Sequence, residues 1–225
     1  MGEGMLISVS KRFIFVANTK TASTSIENAL LPHGDLIASG TPERRHMPLQ
    51  TVLKSYPYLF DHPNHARQKF FKFGVMRDPI DWIYSWFRYR KGNAVQSPLP
   101  QDMTFEAFWR LQDWNIMRIN GRKHLQIQAF QGRKGNILAD MIIPYHQISD
   151  MYPQVAHLLG VSSELPQHNV SNLPNDHDIP AHLQDEMHAF YGEDYELWAS
   201  LDALNSKGME KLKRRALRKS QKATA

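Results

Sequence analysis

The stretch RFIFVANTKTASTSIENALL, residues 12–31, decides the fold. Its first part, Arg12 to Ala17, is β-branched and aromatic without strict alternation, which predicts a strand buried on both faces, as in a parallel sheet. A polar loop follows from Asn18 to Ser23, and the pattern from Thr24 to Leu31 predicts a helix that stops at Pro32. A strand, a short loop and a helix in this order are typical of an α/β fold.

The rest of the chain continues this alternation of strands and helices. Two more buried strands are predicted, Phe70 to Met76 and Ile137 to Ile143. Helices are predicted at residues 46–54, 80–90, 104–111, 149–159, 180–191 and 195–204, and no internal repeat or linker separates them. We therefore expect a single α/β domain over residues 1–206, with a central, mainly parallel sheet flanked by helices, and a basic tail at residues 207–225.

The composition is that of a globular protein with an uneven charge distribution. Of 225 residues, 42% are hydrophobic, and the absence of cysteine excludes disulfides, thiolate metal sites and a cysteine nucleophile. The segment from Lys207 to Lys222 holds eight Lys or Arg and one Glu, whereas the remainder has 19 basic and 21 acidic side chains. Such a segment can bind nucleic acid or a membrane surface. A solvated basic helix with a frayed end explains the same charges, so we do not expect nucleic acid as a partner.

The hydropathy of the chain gives no sign of a membrane span. No apolar run approaches the roughly 20 residues that cross a bilayer. The short apolar stretch near the N-terminus is interrupted by Lys11 and Arg12, which is unlike a signal peptide. We expect a cytoplasmic protein without a transmembrane segment.

The loop between the first strand and the first helix is a candidate anion site. Lys20 to Ser25 supplies a lysine and four hydroxyls beside the N-terminus of a helix, where backbone N–H groups and the helix dipole favour phosphate or sulfate. A Ser/Thr-rich N-cap with a surface lysine would leave the same pattern. The Gly-Lys-Ser/Thr signature of nucleotide triphosphatases occurs nowhere in the chain. The loop is therefore phosphate-loop-like without being an ATP or GTP signature.

A second candidate site follows the second predicted strand. Arg77 ends that strand, and Ser85 lies two turns into the next helix, on the face reached from the strand end. The guanidinium group suits bidentate phosphate binding, and the serine adds a donor. An ion-paired helix start at Arg77 and a small packing residue at Ser85 are the alternatives.

The two sites together resemble the sulfotransferases that use 3′-phosphoadenosine 5′-phosphosulfate (PAPS), especially their carbohydrate and bacterial branch. The sequence TKTASTS at residues 19–25 resembles the family's first loop, and VMRDP at residues 75–79, with Ser85 eight residues after Arg77, resembles its second motif. Weaker likenesses are found at HMPL (46–49), GNILADMIIPYH (135–146), HNVS (168–171) and YGEDYELW (191–198), so the resemblance covers roughly residues 12–200.

This resemblance implies a fold, a donor and a set of roles. The fold would be a three-layer, P-loop-like α/β structure. The 5′-phosphosulfate would be bound by Lys20, Thr21, Ala22, Ser23, Thr24 and Ser25, and the 3′-phosphate by Arg77 and Ser85. Lys20 would stabilise charge on the leaving group, and His46 would be the general base, with His168 in reserve. A helix-entry histidine without a catalytic role is the alternative at His46. The reaction requires no metal, and the acceptor would be a small molecule, glycan or lipid with a hydroxyl or amine.

Two other functions fit parts of the pattern. A nucleotide or nucleoside kinase shares the strand-loop-helix start, although the missing Gly-Lys-Ser/Thr argues against it. A non-catalytic anion-binding module could instead use the basic tail. The acceptor pocket and the oligomeric state have no recognisable signature.

Overall fold

A central five-stranded sheet organises the computed structural model, which describes residues 4–92, 98–112, 118–119, 122–165 and 179–223. The strands are Leu6–Ser8 (β1), Phe13–Val16 (β2), Leu36–Ile37 (β3), Phe71–Met76 (β4), Arg118–Ile119 (β5), Arg122–Lys123 (β6) and Met141–Pro144 (β7). Their order in the sheet is β3-β1-β2-β4-β7, and β5 and β6 form a separate antiparallel pair. The longest pairings, β2 with β4 and β4 with β7, are parallel, whereas β1 is antiparallel to both of its neighbours.

Helices cover both faces of this sheet. They are Ser23–Leu30 (α1), Pro42–Arg45 (α2), Leu49–Ser55 (α3), Pro79–Lys91 (α4), Phe105–Leu111 (α5), Ile148–Leu159 (α6), Ala181–Phe190 (α7) and Gly192–Ala223 (α8). Short 3₁₀ turns are found at Leu31–His33, Pro57–Leu59, Pro63–His65, Arg67–Lys69, Gln126–Ala129 and Tyr145–Gln147. Among the described residues, no helix is both long enough and apolar enough to cross a bilayer.

The alternation of side chains in β2 shows why three layers form. Phe13 and Phe15 belong to the apolar cluster that includes residues of α1 and α6, and Ile14 and Val16 belong to the cluster that includes residues of α3, α4 and α5. All four side chains are buried because successive residues of a strand point to opposite faces. The predicted α/β fold with a central sheet between helices is therefore confirmed.

Two features of the sheet differ from the prediction. The antiparallel strands β1 and β3 were not anticipated. The strand predicted at Ile137 to Ile143 is also wrong in its first half, because β7 begins only at Met141. Residues 131–138 turn back instead, with Gly135 at a positive φ of 79° and the Leu138 N–H donating to the Phe130 carbonyl.

Helix α8 closes the β7 edge of the sheet. The Asn205 side chain accepts from the Ile142 N–H at 2.9 Å and donates to the Ile142 carbonyl at 2.8 Å, which pairs backbone groups on an edge strand. The helix passes so close that a Cβ on Gly208 would lie 2.2 Å from the Asp140 carbonyl oxygen.

The basic segment after residue 206 is the second half of α8. Leu212 is fully buried, Lys211 pairs with Asp140 at 2.6 Å, and the Arg215 guanidinium donates to the carbonyl of Arg12 at 2.7 Å. Residues 208–215 are thus anchored to the sheet at several points, whereas residues 217–221 of the same helix are exposed. A separate function for residues 207–225 stays a prediction.

Candidate active site

The two candidate anion sites lie at the same edge of the sheet. Because β2, β4 and β7 are parallel, the loops that follow them meet at their carboxyl ends, which is where α/β proteins bind ligands. The Arg77 guanidinium carbon lies 4.5 Å from the centroid of the Tyr145 ring, which follows β7. The Asn18 side chain, at the start of the first loop, donates to the Val75 carbonyl of β4 at 3.3 Å.

The first loop has a strained backbone. Lys20 and Ala22 have φ values of 59° and 54°, the left-handed region that residues with a Cβ seldom adopt. Such residues cost on the order of 1–3 kcal/mol each and cluster at ligand-binding sites. Successive turns of this kind direct backbone N–H groups into a concavity that suits an anion.

The N-terminus of α1 has no side-chain cap. Ala22 occupies the N-cap position, and its side chain carries no acceptor for the first N–H groups of the helix. Ser23 and Ser25 are buried in the first turn, and Thr24 is half-buried. Thr21 is buried as well, and its hydroxyl donates to the Asn18 carbonyl at 3.0 Å. That hydroxyl shapes the loop, so an anion would meet the backbone of Thr21.

Lys20 is held among aromatic rings and other cations. Its Nζ lies 3.9 Å from the centroid of the Tyr89 ring and 5.7 Å from that of Trp86. Burial, followed by the nearby charges of Arg77 and Arg88, lowers the pKa of Lys20 to about 8. A positively charged Lys20 is therefore destabilised here, and a bound anion would relieve that strain.

Arg77 presents an unsatisfied donor. Among the described residues, its buried Nε finds no hydrogen-bond partner, which is unfavourable unless a ligand oxygen accepts from it. The neighbouring Asp78 caps α4 by accepting from the N–H groups of Ile80 and Asp81 at 2.9 and 3.1 Å. Ser85 is half-buried on the same helix, one turn before Tyr89 and therefore on the same face.

His46 lies at the root of the first loop. Its Nδ1 is 2.8 Å from the carbonyl oxygen of Ala17, the residue after β2. A carbonyl only accepts, so Nδ1 carries a proton and Nε2 keeps its lone pair. Burial is the main cause that lowers the pKa of His46, so the neutral form persists below the usual range. This arrangement is suitable for a general base.

The structure also shows residues that sequence reasoning missed. Trp86, Arg88 and Tyr89 lie near Lys20. Gln126 forms a hydrogen bond with the Arg77 backbone, and Asp194 forms one with the Gln126 backbone. His168, the reserve base, lies outside the described residues. Within the described part of the chain, no cluster of His, Asp or Glu is placed to hold a metal ion. Metal-free chemistry stays a prediction.

A comparison with protein families identifies the family of the chain. A profile described as "Sulfotransferase family" matches residues 4–199. The chain belongs to the sulfotransferase family. The matched range includes both anion sites, and it shows a transferase of sulfuryl groups with the P-loop-like fold of the family. Comparisons with curated proteins and with solved structures found no match.

Proposed function

We propose that this sulfotransferase takes its sulfuryl group from PAPS and delivers it to a hydroxyl or amine of a small-molecule, glycan or lipid acceptor. The observation that carries the proposal is that two cationic side chains, Lys20 and Arg77, lie at one sheet edge, each after a parallel strand. Ser85 on α4 would complete a second site with Arg77. A donor with phosphates on both the 5′ and 3′ positions needs two such sites. ATP, whose phosphates form one chain, needs only the first.

Different residues would bind the two phosphate groups of the donor. The backbone N–H groups of residues 20–25 and the Lys20 ammonium would hold the 5′-phosphosulfate. The unsatisfied Arg77 Nε–H and the Ser85 hydroxyl would hold the 3′-phosphate, as charge-assisted hydrogen bonds to phosphate oxygens do. The orphaned donor at Arg77 and the destabilised charge on Lys20 both fit an anionic ligand.

Lys20 and His46 would perform the chemistry. Transfer breaks the bond between sulfur and the bridging oxygen and forms a bond from sulfur to the acceptor. The Lys20 ammonium would stabilise the negative charge left on the bridging oxygen, an effect typically worth about 10²–10³ in rate. The Nε2 lone pair of His46 would take the acceptor proton, while the hydrogen bond from Nδ1 to Ala17 keeps the ring oriented.

The donor can be tested without knowing the acceptor. The protein is incubated with PAPS and a panel of hydroxyl and amine acceptors, and formation of adenosine 3′,5′-bisphosphate is followed by ion-exchange chromatography. Lys20→Ala should lower turnover by about 10²–10³, and Lys54→Ala, at an exposed lysine on α3, should leave it unchanged. Turnover of ATP but not of PAPS would favour a kinase, and binding of both without turnover would favour an anion-binding module. The carbohydrate and bacterial branch and a cytoplasmic location remain predictions from the sequence.

A further inference from the structure

We propose that Gln126 is a positioning residue that fixes the distance between the two phosphate sites and so sets the preference for a donor with two separated phosphates. The inference rests on the proposed function. It begins with a buried polar side chain between the two loops. Gln126 is 1% exposed and lies in the 3₁₀ turn Gln126–Ala129, far in sequence from both sites.

One amide group joins the two loops. The Gln126 Oε1 accepts from the Asn18 side chain at 3.1 Å and from the Arg77 backbone N–H at 3.0 Å. The Gln126 Nε2 donates to the Arg77 carbonyl at 2.8 Å. Both backbone polar groups of Arg77 are therefore held by the same side chain that holds the first loop.

Asn18 passes this constraint to the loop of Lys20. Its Oδ1 accepts from the Thr19 N–H at 2.9 Å, and its carbonyl accepts from the Thr21 hydroxyl at 3.0 Å. The residues on both sides of Lys20 are thus tied to Asn18, and Asn18 is tied to Gln126. Movement of Gln126 would shift the two phosphate sites relative to one another.

Asp194 fixes Gln126 itself. It is fully buried in the first turn of α8, and its two carboxylate oxygens accept from the N–H groups of Gln126 at 3.0 Å and Ile127 at 2.7 Å. Burial raises the pKa of Asp194 to about 6, although these two donors oppose the shift. The first turn of α8 therefore supports both anion sites through one 3₁₀ turn.

This arrangement has a specific consequence for binding. A ligand that occupies both sites gains the second contact only if their spacing is correct to within about 0.5 Å. A ligand with a single phosphate needs no such spacing. Loss of Gln126 should therefore weaken two-phosphate ligands selectively, whereas general damage to the fold should weaken all of them.

The test compares three nucleotides by calorimetry on the full chain. These are adenosine 3′,5′-bisphosphate, adenosine 5′-monophosphate and adenosine 3′-monophosphate. Gln126→Met, which keeps the length but removes the hydrogen bonds, should weaken the bisphosphate at least about tenfold and each monophosphate less than about threefold. Gln128→Met is the matched control, because Gln128 is exposed on the same turn and should alter none of the three affinities.

Asp194→Asn is the second variant, because it contacts neither phosphate site and replaces one acceptor by a donor facing a backbone N–H. If Gln126→Met does not fold, Asp194→Asn is measured in its place. We expect the same selective loss of affinity for the bisphosphate. Equal weakening of all three nucleotides in folded variants, or an unchanged bisphosphate affinity, would overturn the positioning role. A wild-type protein that binds the bisphosphate no better than the monophosphates would overturn the proposed function instead, and the inference with it.

Discussion

Replacement of Lys20 by Met should stabilise the protein without ligand while it slows catalysis. Burial and the charges of Arg77 and Arg88 lower the pKa of Lys20 from 10.5 to about 8. A tenfold change in proton affinity corresponds to about 1.4 kcal/mol, so the charged lysine destabilises the fold by about 3 kcal/mol. Contacts of its ammonium group with the Tyr89 and Trp86 rings offset about 1 kcal/mol of this destabilisation. The substitution should therefore stabilise the protein by about 1–2 kcal/mol, or a few degrees in melting temperature.

The same pKa shift predicts how the stability difference between Lys20→Met and wild type depends on pH. The pKa of Lys20 is lower in the folded protein than in the unfolded chain, so unfolding binds a proton between about pH 8 and pH 10.5. The destabilisation is complete below about pH 8 and is relieved as the pH rises toward 10.5. The stability difference between Lys20→Met and wild type should thus be largest at about pH 7 and should shrink by about pH 10.

The assay is urea unfolding of both proteins without ligand at these two pH values, with turnover of PAPS measured in parallel. Lys54→Met, at the exposed lysine of α3, controls for the general effect of removing a charge. Turnover should fall by about 10²–10³ in Lys20→Met. A destabilised Lys20→Met at about pH 7, or a difference that does not change with pH, would refute the reasoning.

Three further predictions concern the base, the second phosphate site and the packing of α8. His46→Asn should lower kcat by about 10²–10⁴ without changing the affinity for adenosine 3′,5′-bisphosphate. The pH profile of kcat/KM should lose its acidic limb, which in the wild type lies below the usual histidine pKa. A near-normal kcat would exclude His46 as the base. Ser85→Ala should weaken the bisphosphate by about five- to tenfold in calorimetry and leave ADP unaffected, and an equal effect on both would contradict the assignment. Gly208→Ala should destabilise the fold by about 1–3 kcal/mol in urea unfolding, because its Cβ would lie 2.2 Å from the Asp140 carbonyl oxygen, whereas Gly192→Ala meets open space and should be neutral; similar stabilities would show that α8 does not pack as described.

The strands that carry the site were predictable from local sequence. The run at β2 is apolar on both faces, and that at β4 has Lys72 as its one charged residue, so both indicate buried parallel strands without reference to the rest of the chain. The strand β1 has only three residues, Leu6–Ser8, and such a short run carries no clear period. It is defined by its pairing with β2 and β3, which is a tertiary property.

The site residues Lys20 and Arg77 could be predicted from local sequence in the same way. The residues that hold their loops in place could not. Lys20 and Arg77 each follow a buried strand, so parallel pairing brings their loops together. Gln126 is a single polar residue in mixed surroundings, and nothing local distinguishes it from a surface residue. Asp194 lies in YGEDYELW (191–198), which resembles a segment of the family, but that resemblance did not indicate what its carboxylate binds. Their function depends on hydrogen bonds across 67 and 68 positions of the chain. Likewise, the charge count of residues 207–222 did not reveal that Gly208 and Leu212 pack against the sheet, because that packing depends on residues distant in sequence.

Calorimetry with adenosine 3′,5′-bisphosphate and with ADP, on the wild type and on Arg77→Ala, tests the assignment of the donor most directly. We predict that the wild type binds the bisphosphate at least about tenfold more tightly than ADP. Arg77→Ala should remove this preference by weakening only the bisphosphate, because the unsatisfied Arg77 Nε is lost from the second site. Equal affinity of the wild type for both nucleotides, or a preference that persists in Arg77→Ala, would contradict the assignment.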